Sequence, residues 1–117
     1  MRIGEIIKIL EAQVLAGEGS PDLDISSACG SDLMSDCLTY VKENVLLLTG
    51  LVSPQVIRTA EMMDIKAVAF VRGKKLPDNI LDLAREKGIF VLVTKYPMFI
   101  ACGKLYSAGL TGRGVLE

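Results

Sequence analysis

The chain has 117 residues, half of them apolar, with three Phe, three Tyr, no Trp and a formal net charge of −1. A chain of this length suits one domain and buries roughly two-thirds of the surface its unfolded form exposes, so folding requires no disulfide or metal. The balanced charge argues against a nucleic-acid face, and no apolar run nears the roughly 18 residues of a membrane-spanning helix.

Ile3, Ile6, Ile7 and Leu10 fall on one helical stripe. Ala12 to Leu15 reads as a short strand, closed by the loop Ala16-Gly17-Glu18-Gly19-Ser20-Pro21. Leu23 and Ile25 open an extended stretch running towards Ala28. After Gly30-Ser31-Asp32 a helix is expected near Leu33, with Leu33, Met34, Cys37, Leu38 and Val41 as its apolar residues. Either Ser31 or Asp32 is its expected cap, because both carry a side-chain oxygen for the free amides of a first turn.

Val45-Leu46-Leu47-Leu48 is a continuous apolar run, the pattern of a strand covered on both faces. Thr49-Gly50-Leu51-Val52 turns the chain, and Ser53-Pro54 supplies an N-cap residue followed by proline in the first helical position. That helix is expected to carry Val56, Ile57, Ala60 and Met63 and to end near Asp64. Ala67 to Val71 is the next buried strand, closed by Arg72-Gly73. A helix starts at Leu76-Pro77-Asp78 and stops at Gly88, Ile89 to Val93 is a third buried strand, and a last helix runs from about Pro97 with Met98, Phe99, Cys102, Leu105 and Tyr106.

Strands alternating with helices from Val45 onward are the signature of βαβ crossovers and a parallel sheet, and right-handed crossovers place helices on both faces. The expected fold is α/β: a three-layer sandwich with a mostly parallel sheet. Residues 1–117 read as one domain, with the glycine-rich 108–117 as a loose tail.

Several chemistries lack their residues. The chain has no histidine, no GxxxxGK[ST] phosphate loop and no CxxC pair, which removes histidine-based catalysis, P-loop phosphoryl transfer and the common zinc and redox patterns. No catalytic residue, metal or cofactor is therefore expected; Lys95, at the end of a buried strand, is the one group an enzyme could recruit. Cys102 reads as a small hydrophobe, Met62-Met63 as core, and Asp32 and Asp36 as cap and surface charge. Arg2, Glu5 and Lys8 interrupt the first apolar residues, unlike a secretory segment, and Cys29, Cys37 and Cys102 are odd in number; both features lead to the expectation of a cytoplasmic protein.

A ligand can still be placed by geometry. In open α/β sheets ligands gather beyond the carboxyl ends of strands, near helix amino termini. Those positions hold Ser31, Thr49, Gly50, Ser53, Arg72 and Lys95, an arrangement of hydroxyls, free amides and positive charge suited to an anion such as a nucleotide phosphate. The plainer alternative is that Ser53 only caps its helix, Arg72 is a solvated strand end and Arg72-Gly73-Lys74-Lys75 is a solvated loop. The high apolar fraction in so short a chain also leads us to expect a homo-oligomer, a dimer being the simplest closed assembly.

The stretches Gly30-Ser31-Asp32-Leu33-Met34-Ser35-Asp36, Leu48-Thr49-Gly50-Leu51, Pro54-Gln55-Val56-Ile57-Arg58-Thr59-Ala60-Glu61, Val71-Arg72-Gly73-Lys74, Thr94-Lys95-Tyr96-Pro97-Met98-Phe99 and Gly103-Lys104-Leu105-Tyr106 resemble DRTGG domains. The resemblance covers nearly the whole chain. It implies a fold related to the amino-terminal, non-catalytic domain of HPr kinase/phosphorylase, and a regulatory, dimer-forming role like that of the related domains beside CBS pairs in regulated pyrophosphatases. It carries over no catalytic residue, because the kinase chemistry belongs to a separate P-loop domain, so a kinase label would mislead.

Two functions remain in view. One is a homo-oligomeric regulatory module binding a small anionic metabolite or nucleotide at the strand-end rim. The other is a protein–protein adaptor with no small ligand, using the last helix as its interface with Phe99 and Tyr106 as anchors.

Overall fold

Ile3, Ile6 and Leu10 are buried along one side of the first helix, α1 (Ile3–Leu10), as their spacing predicts. The structure, a computed structural model, describes residues 1–17, 22–37 and 44–110, with the backbone alone at Asp36 and Cys37. After α1 come β1 (Gln13–Ala16), β2 (Ser27–Gly30), α2 (Met34–Cys37), β3 (Val45–Thr49), α3 (Pro54–Met62), β4 (Ala67–Phe70), α4 (Asp78–Lys87), β5 (Phe90–Val93) and α5 (Met98–Ser107). Leu38 and Val41, expected to continue α2, lie outside the described residues, as do residues 18–21 of the first loop and 111–117 of the tail.

Among the described residues five strands form one sheet in the order β1-β5-β4-β3-β2. Strands β2, β3, β4 and β5 run parallel, while β1 pairs antiparallel with β5, Gln13 lying opposite Val93. The fold is the expected α/β sandwich with a mostly parallel sheet between two helical layers.

The distribution of helices is more specific than the crossover rule alone suggested. Val45, Leu47, Val68, Phe70 and Val91 point to one face, where Met34 of α2, Val56, Ile57 and Ala60 of α3, and Ile80 and Ala84 of α4 cover them. Leu46, Leu48, Ala67, Ala69, Phe90 and Leu92 point to the other, under Ile3, Ile6 and Leu10 of α1 and Ala101 and Leu105 of α5. The three crossover helices thus share one face, because the parallel strands are laid down in a single direction across the sheet and connections of one hand then fall on one side. The terminal helices close the opposite face. Each large aliphatic side chain so buried contributes about 1.5–3 kcal/mol.

Local chemistry sets the helix ends. Ser53 Oγ accepts the Gln55 amide at 3.1 Å and Pro54 opens α3. Helix α3 ends one turn-step earlier than expected, at Met62, because Asp64 is in the left-handed region at φ 57°; Met63 is buried while Met62 is 69% exposed, so only one of the pair is core. Gly88, at φ 69°, terminates α4 in a conformation that suits glycine. The expected loose tail is held over its first three residues: Leu110 N donates to Leu105 O at 3.0 Å and the Leu110 side chain is buried against the α1–α5 layer. None of the helices among the described residues is long and apolar enough to cross a membrane.

Candidate functional site

Parallel strands finish on a common edge, so the residues following β2, β3, β4 and β5 form one rim: Ser31 and Asp32, Gly50, Arg72, and Thr94 with Lys95. The antiparallel β1 begins on that same rim, which adds Glu11 and Gln13.

At the β2–β3 end the chain's own carboxylate is the centre. Asp32 Oδ1 accepts the Gly50 amide at 2.6 Å and the Thr49 hydroxyl at 3.3 Å, while Asp32 Oδ2 lies 3.6 Å from Arg72 Nη2. Thr49 is fully buried, and its Oγ1 also accepts the Leu51 amide at 3.1 Å. Ser31 Oγ accepts from Leu33 N at 3.1 Å and donates to Leu33 O at 3.0 Å. These bonds give Ser31 and Asp32, expected as helix caps, partners at Leu33, Thr49 and Gly50. The side chain of Asp36 lies outside the described residues.

The Arg72 guanidinium also lies directly over Gly50, so a Cβ at that position would have to displace this half-exposed side chain from its place beside Asp32. Arg72 itself is left-handed at φ 67°, followed by Gly73 at φ 62°. A non-glycine residue held there costs on the order of 1–3 kcal/mol, and such positions persist only where the surroundings fix them. Two backbone bonds do so, Arg72 N to Tyr96 O at 2.9 Å and Gly73 N to Thr94 O at 2.8 Å. They clip the loop after β4 to the loop after β5. Thr94 is buried, and its hydroxyl donates to Leu10 O at 2.6 Å, fixing the second loop to α1.

Lys95 therefore stands apart from the Asp32 cradle. Together with Lys74 and Lys75 it rims a separate cavity of about 470 Å³, with Leu15, Leu76, Leu81 and Val93 as its apolar wall and Glu11 and Gln13 on the β1 side. Among the described residues none of these three lysines has an ion-pair partner. Glu11 is engaged, its carboxylate accepting the Tyr96 hydroxyl. Of the six residues expected to form one rim site, the structure thus gathers Thr49, Gly50 and Arg72 about Asp32, gives Ser31 to a local turn and Ser53 to the α3 cap, and places Lys95 in the neighbouring cavity. Sequence reasoning missed Asp32 as the hub and Lys74 and Lys75 as rim cations, although the cationic run at 72–75 was the available signal.

Burial pushes the Cys102 thiol up, favouring the neutral, unreactive form. The Tyr96 phenol is also raised, first by its hydrogen bond to Glu11, then by burial and the Glu11 charge. Among the described residues no group of three His, Cys, Asp or Glu side chains is placed to hold a metal ion.

Helix α5 presents apolar surface. Phe99 is 84% and Tyr106 65% exposed, with Ile100 exposed between them. They border different hollows: Phe99 lies with Ile9 and Ile100 in a shallow groove between α1 and α5, and Tyr106 lies with Ala28, Leu48 and Leu110 over the β2–β3 side of the sheet.

No protein-family model matches the sequence, and no curated protein matches it. Among solved structures the chain is similar to the CBS and DRTGG domains of the regulatory region of the Clostridium perfringens pyrophosphatase, determined in complex with the activator diadenosine tetraphosphate. The TM-score is 0.73 at 14% sequence identity, over 88% of this chain. The chain spans 45% of the length of that regulatory-region chain. At this identity the likeness is one of fold.

Proposed function

We propose that the chain is a non-catalytic regulatory module of the DRTGG type, which binds a small anionic metabolite or nucleotide on the carboxyl edge of its sheet and works as a cytoplasmic homo-oligomer. The observation that carries this reading is the set of cations on that edge: Lys74, Lys75 and Lys95 line one cavity with a single acid, Glu11, and among the described residues none of the three makes an ion pair. A like-charged rim held by two interloop hydrogen bonds attracts an anion and orients it. The fold likeness to a regulatory region supports the regulatory part, and the motif resemblance supports the domain type, including its relation to the amino-terminal domain of HPr kinase/phosphorylase. In this reading Lys95 meets the ligand with Lys74 and Lys75, Arg72, Thr49 and Gly50 hold Asp32 beside it, and Ser31 and Ser53 shape the flanking turns.

The test is a thermal-shift panel of nucleotides, dinucleotide polyphosphates and phosphometabolites on the purified chain, with a light-scattering mass. A true ligand stabilises the native state by mass action, about 2.7 kcal/mol at a hundredfold excess over Kd. A flat panel overturns the ligand-binding reading. The exposed Phe99, Ile100 and Tyr106 of α5 favour a second reading, an adaptor that binds protein through α5; a flat panel with a stable complex formed through that helix would support it.

A further inference from the structure

We propose that the lysine-rimmed cavity is the seat of a nucleoside 5′-monophosphate, its phosphate held by Lys74, Lys75 and Lys95 and its base laid on Leu76, Leu81 and Val93. The proposal rests on the ligand-binding reading above and names both the seat and the ligand class.

Four observations meet here. The cavity, about 470 Å³, falls within the roughly 300–1,000 Å³ of small-molecule sites and far exceeds what a bare phosphate fills. Its chemistry is divided, with ammonium groups on the rim and half-buried aliphatic side chains, themselves packed on the core, forming the wall. A ligand that satisfies both parts carries an anionic group and a compact apolar face, which inorganic oligophosphates lack. The charge also fits. Three lysines face one acid, Glu11, which the Tyr96 hydroxyl already engages, and a phosphate monoester brings about −1.5 to −2 at neutral pH. A single carboxylate would leave about half of that net positive charge uncompensated.

The fourth observation concerns competition between neighbouring places. The cradle formed by Thr49, Gly50 and Arg72 is filled by Asp32, so an incoming anion meets unsatisfied cations only on the lysine side. The two lysine-bearing loops are also joined by the chain's own backbone, through Arg72 N to Tyr96 O and Gly73 N to Thr94 O, which holds the lysines in place at little ordering cost.

The experiment is calorimetric titration of the full chain with the four ribonucleoside 5′-monophosphates, the matching nucleosides and inorganic phosphate. At least one monophosphate is expected to bind one to one, with its nucleoside and inorganic phosphate each at least tenfold weaker and affinity falling as salt rises. Lys74→Gln, at a half-buried residue, and Lys95→Gln, at an exposed one, should each weaken binding at least fivefold with unchanged melting temperature, while Lys66→Gln, distant from the cavity, leaves affinity intact. Unchanged affinity in the Lys74→Gln/Lys95→Gln double variant would place the ligand elsewhere and overturn the proposal. Failure of all four monophosphates, with stabilisation by another compound of the broader panel, would overturn the ligand class and leave the regulatory reading standing. Failure of every compound would remove both.

Discussion

The Asp32 carboxylate accepts the buried Gly50 amide at 2.6 Å, joining the loop after β2 to the loop after β3. With Thr49 and Arg72 on its other sides, the chain supplies its own anion at the place where an α/β sheet commonly receives one from a ligand.

Removing that anion should expose the cradle. Asp32→Ala leaves the Gly50 amide without its acceptor and is expected to cost about 2 kcal/mol. Asp32→Asn keeps an oxygen for the amide and loses only an exposed ion pair, about 1 kcal/mol or less. Urea denaturation measures both, and inorganic phosphate should restore stability to the alanine variant more than to the wild type. Equal losses in the two variants would mean that the charge, and not the acceptor, matters.

Arg72 offers a comparison that isolates backbone strain. Arg72→Ala removes the guanidinium and keeps a Cβ at φ 67°, whereas Arg72→Gly removes both. The glycine variant should be the more stable of the two by about 1 kcal/mol, since a left-handed L-residue costs roughly 1–2 kcal/mol. The difference in chemical-denaturation midpoints at constant slope reads this directly. A glycine variant weaker than the alanine variant would show that the loop relaxes when the side chain is cut.

The Tyr96–Glu11 bond carries a pH signature. The phenol is raised above its ordinary value of 10.0 in the folded state, chiefly by donating to Glu11. Its stabilising contribution is therefore complete below about pH 10 and is lost as pH rises through the raised folded value. The stability gap between wild type and Tyr96→Phe should be level from pH 7 to 9 and close above pH 10. A gap that widens with alkali would reverse the assignment.

Phe99 tests assembly without disturbing the monomer. Because its side chain is 84% exposed, Phe99→Asp should change monomer stability by no more than about 0.5 kcal/mol while reducing an oligomer to monomer mass in light scattering. An unchanged oligomer would move the interface away from α5.

The strands were legible because burial on both faces writes itself as an unbroken apolar run, as at Val45 to Leu48 and Ile89 to Val93. Helix ends were legible where one residue decides them, Ser53 and Gly88 above all. Asp32 was not legible as a hub, because its partners lie on the neighbouring strand end and on the loop beyond it, and nothing local in Gly30-Ser31-Asp32 distinguishes a cap from a cross-strand acceptor. Lys74 and Lys75 read as a solvated turn until the Gly73–Thr94 bond brought them beside Lys95. Leu110 was obscured by its glycine neighbours, which suggest looseness; Gly109, at φ 108°, instead turns the chain so that Leu110 packs down.

The pairing of Gln13 with Val93 also governs how the molecule comes into being. The first strand to leave a ribosome must wait for the last one before it has a neighbour, while β2 to β5 can pair in the order in which they are made. Closing so long a loop carries an entropic cost that only later contacts repay, so docking of β1 is expected to come after the pairing of the parallel strands. Amide exchange during refolding should accordingly protect Leu47 and Val68 early and Val14 late.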